Sequence, residues 1–357
     1  MVRSLQYLLY FFLISLHFAC VKDIPNSQSS NTTYSDNGVL VLNEGAYGIN
    51  NAELSFINPK LKSIVNNLYH NKNNTKLGDV AQQIVQHDAN YFILVNNSSK
   101  IIIVDTTNLK HLHTISSIPF PRNLLIVSSK LAYVSSMYTN KVYILDLINY
   151  SIADSILLPY KNPEQMLLHN NSVYITLWDS AASSIAKINL PSHTLNKLIP
   201  LPGRASHSIC SDRNNKIWIL SGNKFQKKTS ILSCLNPDSD EVSLSLQFEE
   251  QADPIRLNTN RLKDTLYFIQ VNYQGGAGNN GLYRMSISAT SLPLQAYIPS
   301  AANSYFWAYG LHPYDGSIYL SDPKGFTQQS SIFHYDGNGK LIESYQAGIG
   351  ANYFLFK

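Results

Sequence analysis

Cysteine and charge are both scarce in this chain. Of its 357 residues only 3 are cysteine and 14% are charged, against 44% hydrophobic. A disulfide-stapled scaffold is excluded by so few cysteines, and none of them sits in a metal or redox motif. The high apolar and low charged content excludes a disordered chain, since there is enough surface to bury a full core. The formal excess of +4 includes Arg3 and is spread thinly. No basic run is present that would neutralise a row of phosphates, which argues against a nucleic-acid partner. Long amphipathic helical periodicity is missing too, which disfavours a parallel α/β sheet. Asp79 to His87 resembles a short helical turn but reads better as a strand. No GxSxG, HExxH, EF-hand or Walker pattern occurs in context, and the histidines are scattered, so neither a metal site nor a cofactor is expected. His111 and His113 share one strand face near an outer strand and are expected to face solvent.

The N-terminus carries Arg3 and then a largely apolar stretch from Leu5 to Ala19 that ends at Cys20. That stretch is short for a membrane span and is basic only at its start, the plan of a secretory signal. Leu16-His17-Phe18-Ala19-Cys20 resembles a bacterial lipobox, with Leu16 one position further from the cysteine than the pattern has it. The resemblance implies a lipidated Cys20 and a membrane anchor, while the following Val21-Lys22-Asp23 resembles the surface-export signal of Bacteroidota lipoproteins. Asn26 to Asn37 is almost wholly small and polar, a flexible tether. The expected organisation is a signal peptide over 1–19, a lipidated cysteine and tether over 20–37, and one folded domain over 38–357.

That domain is repetitive. A short apolar, aromatic-bearing strand recurs at Leu40, Phe92, Tyr133, Tyr174, Trp218, Tyr267 and Tyr319, at intervals of 52, 41, 41, 44, 49 and 52 residues. Each is followed by a loop, an alternating strand and a further short strand. A third kind of element precedes six of them, as in Arg122-Asn123-Leu124-Leu125-Ile126 and Glu164-Gln165-Met166-Leu167-Leu168. Periods of 40 to 50 residues with four short strands each are the signature of β-propeller blades. The chain is therefore read as all-β, a seven-bladed β-propeller of four-stranded antiparallel blades. The first blade lacks its inner strand, and the C-terminal Ala351 to Phe356 has the pattern to supply it and close the ring. Cys210 and Cys234 fall on the first and third strands of one blade, beyond the ~7 Å limit of a disulfide, and are expected to be buried free thiols.

Loop length concentrates between the second and third strands, notably Asn43 to Asn51, Leu177 to Ser184, Ser221 to Thr229, Gln270 to Gly281 and Ser321 to Ser331. These loops share a face with the entries to the inner strands, which marks that face as the binding side. Its candidate ligand-binding residues are Tyr47, Asn50, Asn51, Tyr138, Trp178, Asp179, Tyr273 and Phe326 on the loops, with Met137, Phe225, Lys227 and Gln274 beside them. Arg122, Glu164, His207, Arg256, Trp307 and Tyr309 stand at the strand entries, together with Gln165. Aromatic faces beside amides suit a large, partly planar, polar-rimmed ligand or a protein partner.

Asn43-Glu44-Gly45, then Asn50-Asn51-Ala52 and Leu54-Ser55-Phe56, resemble the first blade of a family of exported seven-bladed propellers of Bacteroidota. That family is related to the surface-layer and quinoprotein amine dehydrogenase-like propellers. Its members include surface lipoproteins that capture cobalamin and pass it to a TonB-dependent outer-membrane transporter. The resemblance implies a non-catalytic, lipid-anchored nutrient-capture protein at the cell surface, with cobalamin as the specific candidate. A periplasmic propeller enzyme, either a lactonase or a quinoprotein-like oxidoreductase, is the alternative, and an interaction scaffold is a third reading. Asn43, Glu44 and Gly45 also have a purely structural reading, with Gly45 and Gly48 supplying positive φ to the loop.

Overall fold

The computed structural model of the protein describes residues 37–272 and 279–357. They form seven four-stranded antiparallel sheets, each one blade. The second strand of every blade is short, largely buried and mostly apolar because neighbouring blades cover both of its faces. Ile217–Asn223 is buried at every position, and Val39–Asn43 likewise. The outermost strands have one wet face and alternate accordingly, as in Glu241–Gln247. Blade six ends in the two-residue strand Ile298–Pro299, where proline blunts the edge.

The expected ring closure is present. Ala351–Phe356 pairs with Val39–Asn43 in the order Val39 with Phe356, Leu40 with Leu355 and Val41 with Phe354. Beyond the ladder, Asn37 N donates to Lys357 O at 3.1 Å and Lys357 N to Gly38 O at 3.0 Å. Inner strands lie side by side around the axis, with Ala351–Phe356 wedged between Ala308–Leu311 of blade seven and Ala81–His87 of blade two.

Between blades the large aromatics interlock. Trp218 is 1% exposed and packs with Phe248, Phe268 and Tyr283 at the junction of blades five and six. Phe268 stacks on Tyr283 with centroids 5.5 Å apart, and the Trp218 indole N–H donates to Asp212 Oδ2 at 2.8 Å. A buried indole needs such a partner, so the otherwise costly burial of Asp212 is offset. Cys210 and Cys234 both sit across from Trp218, one on each side, and are free and buried. Burial pushes both thiols up from their ordinary range.

Asp79 to His87 is a strand from Ala81 onward. His111 and His113 lie exposed on the outer strand His111–Ser116. One element escapes the sequence pattern, a six-residue helix Leu68–Asn73 between blades one and two. Its backbone N–H groups at Tyr69 and His70 donate to the Glu53 carboxylate at 2.7 and 3.0 Å, a long-range cap that no local pattern announces.

Closure is testable without shortening the chain. Gly310, on the inner strand of blade seven, leaves no room for a side chain, since an added Cβ would lie 2.7 Å from the Cβ of Phe354. Gly310→Val should therefore unseat the closing strand and lower stability by ~1–3 kcal/mol, read as a lower guanidinium midpoint.

Candidate functional site

Six of the seven inner strands are bulged, five of them directly after the first paired residue and blade six two residues further in. One residue is inserted at Asn352 in blade one, Gln82 in blade two, Arg122 in blade three and His207 in blade five. In blades four and six a pair, Glu164 with Gln165 and Arg256 with Leu257, opposes a single residue. Blade seven pairs without a shift. A bulge re-aims the side chain of its extra residue, and here it turns polar groups toward the axis. Hydroxyls on the second strands take up the hydrogen bonds the ladder loses. Ser135 Oγ accepts from Asn123 N and donates to Glu164 O at 2.7 Å, and Thr176 Oγ1 accepts from Gln165 N at 2.9 Å.

The re-aimed groups line a cavity of about 720 Å³ at the loop-bearing end of the axis. The structure brings Tyr47, Arg122, Glu164, Trp178, His207, Arg256, Trp307 and Phe326 together on its wall, with Met137, Gln165 and Phe225. Five expected residues stand off it. Asn50 is an exposed left-handed turn residue, and Asn51 Oδ1 is spent on Ala46 N at 2.8 Å inside the loop. The Tyr138 ring is 61% exposed and packs edge-on against Phe120. Asp179 accepts from Ala181 N in its own loop and from Lys161 N ahead of the inner strand Pro163–His169, tying the two segments together. The Tyr309 hydroxyl donates to Tyr267 O at 3.0 Å, between blades six and seven. Lys227, a left-handed residue that closes a short turn, is also off the wall. Tyr273, Gln274 and Cys20 lie outside the described residues.

Gln82, Asn123, Asn223, Asp253 and Tyr353 line the wall without having been singled out. The signal for the inner-strand members was present: Gln82-Gln83, Arg122-Asn123, Glu164-Gln165 and Asn352-Tyr353 fall at equivalent repeat positions, a recurrent polar pair in otherwise apolar strands. Glu44, known from the sequence only as part of the first-blade motif, also lines the wall.

The polar wall is a connected chain. Arg122 Nε donates to both Glu164 oxygens at 3.0 Å, its Nη2 reaches Glu164 Oε1 as well, and its Nη1 donates to Gln82 Oε1 at 2.6 Å. Gln82 Nε2 in turn donates to Glu44 Oε2 at 3.2 Å. Burial opposes the Arg122 charge, yet Glu164 outweighs it and holds the guanidinium above its ordinary range. Arg256 donates to Asn352 Oδ1 and stacks over Trp307 at 5.4 Å. The Trp307 indole N–H, buried and without a well-directed hydrogen bond, lies beside the Glu44 carboxylate.

Burial pushes the Glu44 carboxyl up to about 7, with Arg256 and Arg122 only partly reversing the effect. Asp253 is raised by burial to about 6, and His207 is lowered by burial to about 4 and so stays neutral. The first-blade motif accounts for Glu44's position. Gly45 (φ +82°) and Gly350 (φ +67°) leave no space for a Cβ, which would come within 2.8 Å of Glu44 Cγ at Gly350. The loop is further pinned to blade two, where Asp79 Oδ2 accepts from Gly48 N at 2.9 Å. Among the described residues no group of three or more His, Cys, Asp or Glu side chains is placed to hold a metal ion.

The sequence profile of DUF5074, a domain of unknown function, matches residues 37–356. The chain belongs to the DUF5074 family. A search of curated proteins found no matching relative for this DUF5074 chain. Among solved structures, it is similar to a quinoprotein alcohol dehydrogenase-like protein from Bacteroides thetaiotaomicron, with a TM-score of 0.70 and 13% identity over 92% of this chain and 79% of that one. Hydrazine synthase of Kuenenia stuttgartiensis gives a TM-score of 0.58 at 9% identity, covering 74% of this chain and 85% of that one. The dihydro-heme d1 dehydrogenase NirN also gives 0.58 at 9%, covering 88% and 68%. At such identities the likeness is one of fold.

Two measurements probe the wall of this DUF5074 chain. Because Glu44 folds more readily when protonated, its contribution is fully present below pH ~4.5 and is lost as pH rises through about 7. Glu44→Gln should remove a fall of ~3 kcal/mol across that window, read from urea midpoints at several pH values. Arg122→Ala leaves the Glu164 carboxylate buried and uncompensated and should cost ~3 kcal/mol, whereas the double variant Arg122→Met with Glu164→Met recovers most of it in the same assay.

Proposed function

We propose that the protein is a non-catalytic capture protein that binds a planar, acceptor-rich nutrient in the axial cavity, with cobalamin as the specific candidate. One observation carries the reading. The amide oxygens of Gln83, Asn123, Gln165 and Asn223 are committed to the backbone N–H groups of Leu124, Met166, Ile209 and Gln226, at 2.6, 3.2, 3.2 and 3.1 Å. Their NH₂ groups have no partner among the described residues, so these amides, each of which lines the cavity, have both N–H donors unspent while each oxygen already holds a backbone N–H. A ligand that satisfies them carries carbonyl or carboxamide oxygens around its rim. Tyr47, Trp178, Phe225, Trp307 and Phe326 supply the flat apolar faces against which a macrocycle would rest. The corrin of cobalamin combines those two properties, and it is the ligand implied by the first-blade resemblance. In this reading Cys20 anchors the body by lipid at the outer membrane, facing the cell surface, and the ligand passes to a TonB-dependent transporter.

A second reading, a propeller enzyme, is favoured by Glu44, a carboxyl that exchanges its proton near neutrality inside a cavity. Quinone or metal retained through purification would support it. Isothermal titration of the mature protein with cyanocobalamin is expected to give saturable heat at micromolar concentration, weakened about tenfold or more by Trp307→Ala. Absence of heat at that concentration would overturn cobalamin as the ligand.

A further inference from the structure

A second cavity lies on the flank of the ring, independent of the axial one. The helix Leu68–Asn73 and residues 74–76 bridge blades one and two, and between them and the strands Lys100–Asp105 and His111–Ser116 is a groove of about 500 Å³. Its floor is apolar, formed by Tyr69 and Ile102, which are 1% and 2% exposed. Asn73 fixes its wall: Nδ2 donates to Tyr69 O and Leu109 O at 3.0 Å each, and Oδ1 accepts from His111 N at 2.8 Å. The groove is thus set before any ligand arrives. His111 is in turn oriented by Thr114, with 2.8 Å between Nε2 and Oγ1.

Lys72, Lys76, Lys100 and Lys110 surround this groove, and no carboxylate lines it. Elsewhere lysines have found acids: Lys62 pairs with Glu343, Lys187 and Lys197 with Asp240, and Lys324 with Asp322. The four groove ammonium groups have no ion-pair or hydrogen-bond partner among the described residues. Lys100 is half-buried, and desolvation draws its ammonium below the usual lysine range. Four like charges around a preformed concavity repel one another, and an anion bearing two or more charges relieves that repulsion while gaining charge-assisted hydrogen bonds.

We propose that this flank groove binds a phosphomonoester or pyrophosphate group carried on a small polar body, with the phosphate held by the four lysines and the body resting on Tyr69 and Ile102. The chemistry is shared by a soluble sugar phosphate and by a phosphorylated lipid headgroup. The mature protein would be titrated at low salt with inorganic pyrophosphate, and separately floated with phosphatidylcholine vesicles with and without phosphatidic acid. Saturable pyrophosphate binding identifies a soluble phosphate, and capture by the acidic vesicles alone identifies a headgroup. In either case Lys100→Gln combined with Lys110→Gln should weaken binding about tenfold or more, while Lys62→Gln leaves it unchanged. Lys76→Glu, at an exposed position that folding tolerates, should do the same and guards against misfolding of the double variant. No binding to either probe, or binding undiminished in both groove variants, overturns the assignment.

Discussion

One inserted residue in each of six inner strands governs the chemistry of this molecule. Seven strands converging on an axis would crowd it with whatever side chains their pleat directs inward. The bulges at Asn352, Gln82, Arg122, Glu164–Gln165, His207 and Arg256–Leu257 break that alternation just short of the loop-bearing end. At the bulges polar groups turn inward and line a cavity on the axis. The same insertions create the backbone vacancies that second-strand hydroxyls fill. They also set the neighbouring amides at a height where each reaches the next blade. Site and ring cohesion are therefore products of a single local irregularity.

A relay of side-chain amides joins blades one to five. Asn352 donates to Ala81 O and Gln82 O, Gln83 accepts from Leu124 N, Asn123 from Met166 N, and Gln165 from Ile209 N. Adjacent blades are otherwise joined mainly by apolar packing, which is non-directional and tolerates sliding. A directed bond at each of these junctions fixes the rotation of one blade against the next. It also polarises the cavity toward donors, because every amide oxygen used in the relay faces backbone and not ligand.

Architecture was legible in the sequence because it is written in periodicity. Second strands such as Ile217-Trp218-Ile219-Leu220 are buried on both faces and cannot be anything but apolar, and their recurrence gives the blade count. The closing strand was legible for the same reason, as the missing member of a series. Position within the mouth was less so. Tyr309 and Asn51 belong to elements that approach the mouth, yet Tyr309 turns between two blades and Asn51 braces its own loop. Which way a side chain points at a strand entry is decided by the bulge, and register is a property of pairing between strands far apart in the chain. Glu44 illustrates the point: its motif was visible, but its contact with Gln82 depends on blade two, 38 residues on. The helix Leu68–Asn73 was invisible because its stabilising partner, Glu53, lies outside its own segment.

The hydrogen bonds between Asn37 and Lys357 and between Lys357 and Gly38 place the two ends of the ring beside each other. In the folded state the backbone there is nearly continuous, so the position at which the polypeptide opens is an accident of covalent order and not a mechanical seam. Joining residue 37 to 357 through a short linker and cutting instead in an exposed outer turn, such as that between Asp146 and Ser151, would leave every blade with its strands and every amide of the relay with its hydrogen-bond partner. The molecule is a circle that happens to have been written as a line.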